Sequence, residues 1–222
     1  MSGGKRVRVL IVDDDALVRS GLRLMLSGSD RVEVVAEAED GGGVLAAVDA
    51  HRPDVVLMDL RMPKVDGLAA TELLRGQPRP PRVLVLTTFD ADELVLRALR
   101  AGADGFLLKD IPPAEIVRAI ELVAAGDGIL SPAVARRLIE HVAAEGAGTD
   151  ARRAAARRRL DSLTEREREV ANAIGEGKSN ADIAAELYMS VATVKAHVTR
   201  VLSKLDADNR VQVALLVQDA RD

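Results

Sequence analysis

Short apolar runs alternate with amphipathic segments through the first half of the chain. The apolar runs predict β-strands, and the segments between them predict α-helices, because their apolar residues recur at helical spacing. Strands that alternate with helices indicate a parallel sheet covered on both faces. The expected fold class of this half is therefore α/β, with a doubly wound, five-stranded parallel sheet of the flavodoxin-like kind. The strands are predicted near residues 7–12, 32–38, 54–58, 82–87 and 105–108, and the helices near 16–27, 43–51, 67–75, 91–101 and 113–125.

The alternation stops after Gly126, and the remaining signals are helical. Ser131-Pro132 begins a predicted helix that runs to about His141, whereas residues 143–159, rich in Ala, Gly and Arg, are interpreted as a linker. We expect an α/β domain over 1–125, a linker with one helix over 126–159 and a small all-α domain over 160–222.

The last domain contains a helix-turn-helix pattern. Thr164 and Glu167 form a predicted capping box. Farther along, a short helix, the turn Tyr188-Met189-Ser190 and a longer helix follow in order, which is the helix-turn-helix arrangement. The four helices are predicted near 165–174, 181–187, 191–205 and 210–218.

Composition narrows the functional classes. The chain has 222 residues, 48% of them apolar, which is enough for two folded cores. No apolar run reaches the roughly 18 residues that a membrane span needs, and the first residues lack a signal-peptide core. Cysteine is absent, which excludes disulfides and agrees with a cytoplasmic location. Residues 161–222 carry eight basic and eleven acidic side chains, so a DNA-binding surface would be a local stripe.

Polar side chains follow four of the predicted strands at their carboxyl ends. Asp13–Asp15 follow the first strand, Asp59 the third, Thr87 the fourth and Lys109 the fifth. In open α/β sheets this edge holds the ligand crevice. Clustered carboxylates with no histidine or cysteine nearby favour Mg²⁺, which takes carboxylates together with water and a phosphate oxygen. Asp59 would then be a nucleophile towards phosphorus, with Thr87 and Lys109 contacting the phosphoryl oxygens.

This set of residues, with Met62-Pro63 and Asp66-Gly67 after the acid, resembles the receiver domain of bacterial response regulators. Residues 87–90 and 105–110 look like the NarL/FixJ branch of that family. The resemblance implies that Asp59 accepts a phosphoryl group from a histidine kinase. It also implies that Asp14, Asp59 and the backbone carbonyl of Arg61 bind Mg²⁺, that Asp13 acts through water, and that Phe106 is the switch aromatic.

Two rival enzyme classes fit less well. Haloacid-dehalogenase-like phosphatases also use a phosphorylated aspartate, but they need an acid two residues later, where this chain has Arg61. Gly177-Lys178-Ser179 resembles part of a P-loop, but the required first glycine is replaced by Asn172, and a helix rather than a strand precedes it.

The predicted helix 191–205 contains basic residues and no acid. Its apolar residues recur at helical spacing and form a packing face of Val194, Val198, Val201, Leu202 and Leu205. The opposite face can lie in the major groove, with its N-terminal part on base edges. Residues 163–170, 179–184 and 193–198 resemble the LuxR-type helix-turn-helix, which implies that Lys195, Ala196 and Thr199 face bases. Lys178, Ser179, Thr193 and Lys204 are placed to contact phosphates, which contribute affinity without sequence information. The predicted DNA-binding set is Lys178, Ser179, Thr193, Lys195, Ala196, His197, Thr199, Arg200 and Lys204.

Three positions depart from the pattern of these relatives. Thr199 stands where many carry a basic residue, and Val191 lacks the acid often found at the start of the recognition helix. Asp206 replaces the frequent helix-ending glycine and should therefore adopt a left-handed backbone conformation.

The sequence thus predicts a phosphorylation-regulated transcriptional regulator of a two-component system that dimerises on a pseudo-palindromic promoter site. It would be no enzyme beyond its own phosphoryl transfer and dephosphorylation. Two alternatives stay open, a phosphatase or phosphorelay enzyme with a C-terminal docking module and a constitutive DNA-binding protein whose receiver only dimerises.

Overall fold

The computed structural model describes residues 5–87, 92–127, 129–130 and 150–221. The chain divides into two compact units, with the division between Ala135 and Arg136. Part of the 87–90 motif and the helix predicted from Ser131 to about His141 lie outside the described residues.

The N-terminal unit is a parallel sheet with helices, as predicted. Its strands run in the order β2-β1-β3-β4-β5-β6. The first five strands match the prediction closely, and the two-residue β6, paired with the start of β5, was not predicted because two residues carry no periodic signal. The strands are β1 (Val7–Val12), β2 (Val32–Ala38), β3 (Val55–Met58), β4 (Arg82–Thr87), β5 (Gly105–Leu108) and β6 (Ile129–Leu130). The helices are α1 (Ala16–Ser27), α2 (Val44–His51), α3 (Gly67–Arg75), α4 (Asp92–Arg100) and α5 (Pro113–Ala124), with a 3₁₀ turn at Gly41–Gly43.

The sheet is buried most deeply at its centre. Every residue of β3 is buried, and so are the last four residues of β1. On one face, Val9, Ile11, Leu57 and Leu84 pack in a cluster that includes Ile120 of α5. The strand order reverses between β1 and β3, which is where such sheets open a crevice at the carboxyl edge.

Gly67 allows α3 to begin against that edge. Its backbone N–H donates to the carbonyl of Leu60 over 3.1 Å. A Cβ at this position would lie 1.9 Å from the carbonyl oxygen of Asp59, so only glycine permits the approach. Asp66 caps the helix, its side chain accepting from the N–H of Ala69 at 2.8 Å.

A buried ion cluster holds the opposite, amino-terminal edge of the sheet. Asp104, 4% exposed, accepts from Arg75 at 2.5 Å and from Arg82 at 2.9 Å. It also accepts from the backbone N–H of Val83 at 2.8 Å. One carboxylate therefore joins α3, β4 and the start of β5.

Over its described residues, 150–221, the C-terminal unit is all-helical. Its buried core cluster comes mainly from apolar residues of the last four helices, and Leu160 at the end of the first helix packs against it. Val194, Val198, Val201 and Leu205 are buried, which confirms most of the predicted packing face, and Leu202 is half-buried. The helices are α6 (Asp150–Leu160), α7 (Glu165–Gly175), α8 (Asn180–Glu186), α9 (Val191–Lys204) and α10 (Arg210–Arg221).

Helix α6 corrects one expectation, since residues 150–159 are helical rather than linker. Ala and Arg are good helix formers, but the segment has no apolar periodicity to announce a helix. It attaches to the unit through Ala156, 4% exposed, and through Arg157, whose Nε donates to the carbonyl of Ala220 at 3.0 Å.

Two helices of this unit are followed by a non-glycine residue in the left-handed region. Asp206 has φ of 46°, which confirms the expectation for the position after α9. Tyr188, after α8, has φ of 54°. Both lie where a chain leaving a helix usually adopts this conformation with glycine.

Helix C-termini in this unit receive donors from other helices. The carbonyls there lack partners within their own helix and carry partial negative charge, so amide and guanidinium donors stabilise them. The pairs are Arg168 with Leu160 at the end of α6, Gln218 with Gly175 at the end of α7, Arg166 with Leu187 after α8, Arg159 with Leu205 after α9, and Arg157 with Ala220 in α10.

We expect Asp104→Ala to lower the free energy of unfolding of the N-terminal unit by about 3–5 kcal/mol, because it leaves the buried guanidinium of Arg75 without its counter-charge. Urea denaturation followed by circular dichroism measures this. Lys5→Ala is the control, since Lys5 pairs with Asp54 at 3.4 Å on the surface and should cost about 0–1 kcal/mol. Equal losses of unfolding free energy in the two variants would contradict the stabilising role of Asp104.

Candidate functional site

Two buried carboxylates and one ammonium group meet at the carboxyl edge of the sheet. Nζ of Lys109 lies 2.6 Å from Oδ2 of Asp13 and 3.1 Å from Oδ1 of Asp59. Asp13 is 2% exposed and Asp59 is 6% exposed. Lys109 follows β5, so its side chain connects the end of that strand with the ends of β1 and β3.

Backbone hydrogen bonds fix the positions of these groups. The N–H of Asp59 donates to Val12 at 2.9 Å, which continues the β1–β3 pairing to the acid itself. The N–H of Arg61 donates to Oδ2 of Asp59 at 3.2 Å, and the N–H of Lys109 donates to Thr87 at 2.8 Å. The strand ends therefore orient the site before any ligand enters.

Asp14 completes a cluster of three acids. One carboxylate oxygen from each of Asp13, Asp14 and Asp59 lies within 4.8 Å of the others, and Asp14 is exposed. Such a group of hard oxygen ligands, open to solvent on one side, can hold a divalent cation.

The electrostatics of the site reflect its burial. Desolvation raises the pKa of Asp59, and nearby Asp13 raises it further, although the charge of Lys109 acts in the opposite direction. Burial by itself lowers the pKa of Lys109, but its hydrogen bond to Asp13 and the charge of Asp59 raise it overall. A cation at this site would relieve the cost of ionising Asp59.

Thr87 and Phe106 lie on the neighbouring strands β4 and β5. Thr87 ends β4 and is 7% exposed, while Phe106 lies in β5 and is 2% exposed. In the register of the two strands Thr87 pairs with Leu108, and Phe106 pairs with Val85. The structure thus brings Asp13, Asp14, Asp59 and Lys109 together, with the N–H of Arg61 on the Asp59 carboxylate. The other two predicted receiver residues, Thr87 and Phe106, lie on β4 and β5.

The solvent-facing side of α9 carries the residues predicted to face bases, Lys195, Ala196 and Thr199. All three are exposed, as is Arg200, and the hydroxyl of Thr199 donates to the carbonyl of Lys195 at 3.0 Å. Ser190 caps the helix by accepting from the N–H of Thr193 at 3.0 Å. Within its own unit this side of the helix faces away from the core cluster.

Some of the residues predicted to contact phosphates are instead engaged within the protein. Lys204 pairs with Glu167 at 2.7 Å, and Lys178 pairs with Glu176 at 2.6 Å and with Glu186 at 2.5 Å. Ser179 caps α8 through its bond to the N–H of Asp182.

His197 is half-buried. Within the described residues its Nδ1 is buried without a hydrogen-bond partner. The ring therefore packs partly against the unit, on the same helix as the exposed base-facing residues.

Sequence patterns did not predict that Lys204 pairs with Glu167 or that Lys178 pairs with two glutamates. Glu167 was identified only as a capping residue, yet it accepts both from the N–H of Thr164 at 2.9 Å and from Lys204. Arg19, whose Nη1 donates to the carbonyl of Asp13 at 2.7 Å, was not identified at all. The Glu167–Lys204 pair joins two different helices, and the Arg19–Asp13 contact joins helix α1 to the residue after β1, so residue spacing carries no signal for either.

Family models agree with this division of the chain. The response regulator receiver domain matches residues 9–121, and the luxR family of bacterial regulatory proteins matches residues 161–217. The chain belongs to the response regulators with a LuxR-type DNA-binding domain.

Similar proteins are transcriptional regulators of two-component systems. LiaR of Bacillus subtilis is 39% identical over 210 residues, covering 94% of this chain and 95% of that protein. The probable regulator NarL of Mycobacterium tuberculosis is 42% identical, covering 93% and 91%. The crystal structure of ChrA, from a haem-sensing two-component system, is 36% identical, with a TM-score of 0.54 and coverage of 97% and 98%. Among the described residues of this response regulator, no helix is both long and apolar enough to cross a bilayer.

Glu167 generates a pH-dependent prediction. Its hydrogen bonds from Lys204 and from the N–H of Thr164 lower its pKa from 4.5 to about 2. Because that pKa is lower in the folded than in the unfolded chain, the stabilisation is present above about pH 5 and is lost as the pH falls towards 2. We expect Glu167→Gln to cost the C-terminal unit about 1–2 kcal/mol at pH 7 and much less at pH 3.

Denaturation curves at the two pH values test this expectation. Glu169→Gln serves as the control, because Glu169 and its partner Arg166 are both well exposed and their pair should contribute under about 1 kcal/mol. A loss for Glu167→Gln that is the same at both pH values would show that the lost charge is not responsible.

Proposed function

We propose that this response regulator is switched by phosphorylation of Asp59 and that the switch controls its dimerisation and promoter binding. The observation that carries the proposal is the position of Lys109, whose ammonium lies between the carboxylates of Asp13 and Asp59. The donor would be a sensor histidine kinase, and the protein would act in the cytoplasm.

The chemistry at Asp59 is an attack of one carboxylate oxygen on the phosphorus of the donor. The P–N bond of the phosphohistidine breaks, its electron pair stays with the histidine ring, and an acyl phosphate forms. Oδ1 faces Lys109 and Oδ2 accepts from the N–H of Arg61, so the carboxylate is held in one orientation for this attack.

The acid cluster fits a magnesium ion. Asp13, Asp14, Asp59 and the backbone carbonyl of Arg61 would hold it, with Asp13 acting through water. When bound, Mg²⁺ supplies positive charge that offsets the acids and the incoming phosphoryl oxygens. Burial above all, and the charge of Asp13 in addition, raise the pKa of Asp59, and a bound cation would favour its ionised form.

The phosphoryl group then changes the partners of the residues around it. It brings new negative oxygens to the position that Lys109 occupies between two acids, and it offers an acceptor to the hydroxyl of Thr87. A movement of Thr87 towards the phosphoryl group leaves space beside Phe106 in the adjacent strand. The rearranged β4–β5 face then favours the dimer.

In the DNA-binding unit, α9 reads the major groove. Lys195, Ala196 and Thr199 face bases, whereas Arg200, Thr193, Ser179 and His197 lie towards the phosphate backbone. Lys178 and Lys204 contribute to phosphate binding only if their ion pairs to glutamates open. Two copies would read a pseudo-palindromic site with half-sites about one turn of DNA apart.

Phosphorylation is tested with acetyl phosphate or phosphoramidate as small-molecule donors. We expect wild-type protein to acquire a hydroxylamine-sensitive phosphoryl group in Mg²⁺, and removal of the metal with EDTA to abolish uptake. Asp59→Ala should take up none, and Asp14→Asn should need far more Mg²⁺. Asp15→Asn is the matched control, since this exposed neighbour caps α1 at 2.8 Å and should leave uptake unchanged. Uptake by Asp59→Ala would overturn the assignment.

DNA binding is tested by enrichment from fragmented genomic DNA in Mg²⁺, with and without beryllofluoride as an acyl-phosphate mimic. We expect a two-fold symmetric motif whose enrichment grows with the mimic in the wild type and not in Asp59→Ala. Equal enrichment in all samples would indicate a constitutive DNA-binding protein. No enrichment in any sample would favour the enzyme or docking alternatives.

A further inference from the structure

Tyr188 has an exposed aromatic ring and a left-handed backbone conformation, both of which are unfavourable for a tyrosine. It is the single tyrosine of a chain that has no tryptophan, and its side chain is 96% exposed. Its backbone lies in the left-handed region with φ of 54°, which is rarely adopted by bulky residues.

The end of helix α8 explains the backbone conformation but not the side chain. The N–H of Met189 donates to Ala184 at 2.9 Å, and the N–H of Leu187 donates to Ile183 at 2.9 Å, the bonding that turns a chain out of a helix through a left-handed residue. Glycine or asparagine would make the same turn with less strain. Something other than the turn therefore has to account for an aromatic ring at this position.

The surroundings of Tyr188 favour a nucleic acid as the partner. The residue lies two positions before Ser190, the N-cap of α9, and the N-terminal part of a recognition helix is the part that approaches the base edges. The guanidinium of Arg166 donates to the carbonyl of Leu187 at 2.6 Å, which places a positive charge against the same turn. The same guanidinium also forms an ion pair with Glu169. Val191 brings an exposed apolar residue, not an acid, to the start of α9.

We propose that Tyr188 is a DNA-backbone contact, whose phenol hydroxyl donates to a phosphate oxygen at the edge of the groove that α9 enters. The ring lies against the adjoining sugar, as the amphipathic shape of tyrosine allows. The contact adds affinity without sequence preference and fixes the depth at which α9 sits. This inference rests on the proposed DNA binding.

Intrinsic fluorescence gives a direct test, because all tyrosine emission of the full chain comes from Tyr188. The protein is titrated with a labelled duplex that carries the enriched site, and binding is followed separately by the anisotropy of the label. We expect a saturable change in tyrosine emission with the same midpoint as the anisotropy. Normal anisotropy with unchanged emission would overturn the contact, whereas absence of any anisotropy change would count against the proposed function itself.

Substitution separates the contact from a structural role. Tyr188→Phe keeps the ring and removes the hydroxyl, so we expect about a 3–10-fold weaker affinity, by the same factor on specific and non-specific duplexes. Tyr188→Asn should weaken binding at least as much, yet raise the thermal unfolding midpoint by about 1–4 °C, because asparagine tolerates the left-handed conformation.

Weaker DNA binding together with a higher unfolding midpoint in Tyr188→Asn would distinguish a functional residue from a structural one. Arg52→Asn is the control, since Arg52 also has a left-handed backbone (φ of 45°) after a helix, but in the receiver unit. It should leave DNA affinity unchanged. Unchanged affinity in both Tyr188 variants would overturn the proposal, and so would a loss of transcriptional output without a loss of DNA affinity, which would assign the ring to a protein partner.

Discussion

The bridge from Lys109 to Asp13 and Asp59 is the interaction on which the receiver site depends. Two buried carboxylates at neighbouring strand ends repel each other, and only a cation placed between them makes the arrangement tolerable. The fold supplies that cation from β5, two strands away from β3 in the sheet. The same ammonium is the group to which a phosphoryl oxygen would be drawn. The stability of the resting site and the proposed response to phosphate would therefore depend on one side chain with competing partners.

Much of this site was predictable because parallel strands bring their carboxyl ends to one edge. Knowing that Asp59, Thr87 and Lys109 each follow a strand was enough to place them together. The helices α7 to α10 of the C-terminal unit were equally predictable, through their caps and the buried spacing of Val194, Val198 and Val201. Contacts between different elements were not visible. Lys204 was predicted to contact phosphate because its pairing with Glu167 depends on how α7 and α9 pack, which the sequence does not show. Helix α6 was missed because its alanines and arginines show no apolar period.

The recognition helix α9 is anchored at both ends. Ser190 caps its start, while Arg159 donates to the last carbonyls and Lys204 pairs with the capping box of α7. A helix secured in this way presents Lys195 and Thr199 with little freedom to adjust, so under the proposed mode of binding recognition would depend on docking the unit as a whole. Phosphate contacts from the turns around α9 would then be as important for register as the residues proposed to face bases.

Helix α6 alters what counts as the DNA-binding module. The region that matches the luxR family starts at residue 161, yet the donors to the ends of α9 and α10 are Arg159 and Arg157, which come before it. A fragment trimmed to the family boundary would leave those helix carbonyls without partners. A chimera that joins this DNA-binding domain to a different receiver domain should therefore be joined before Asp150, so that it includes α6.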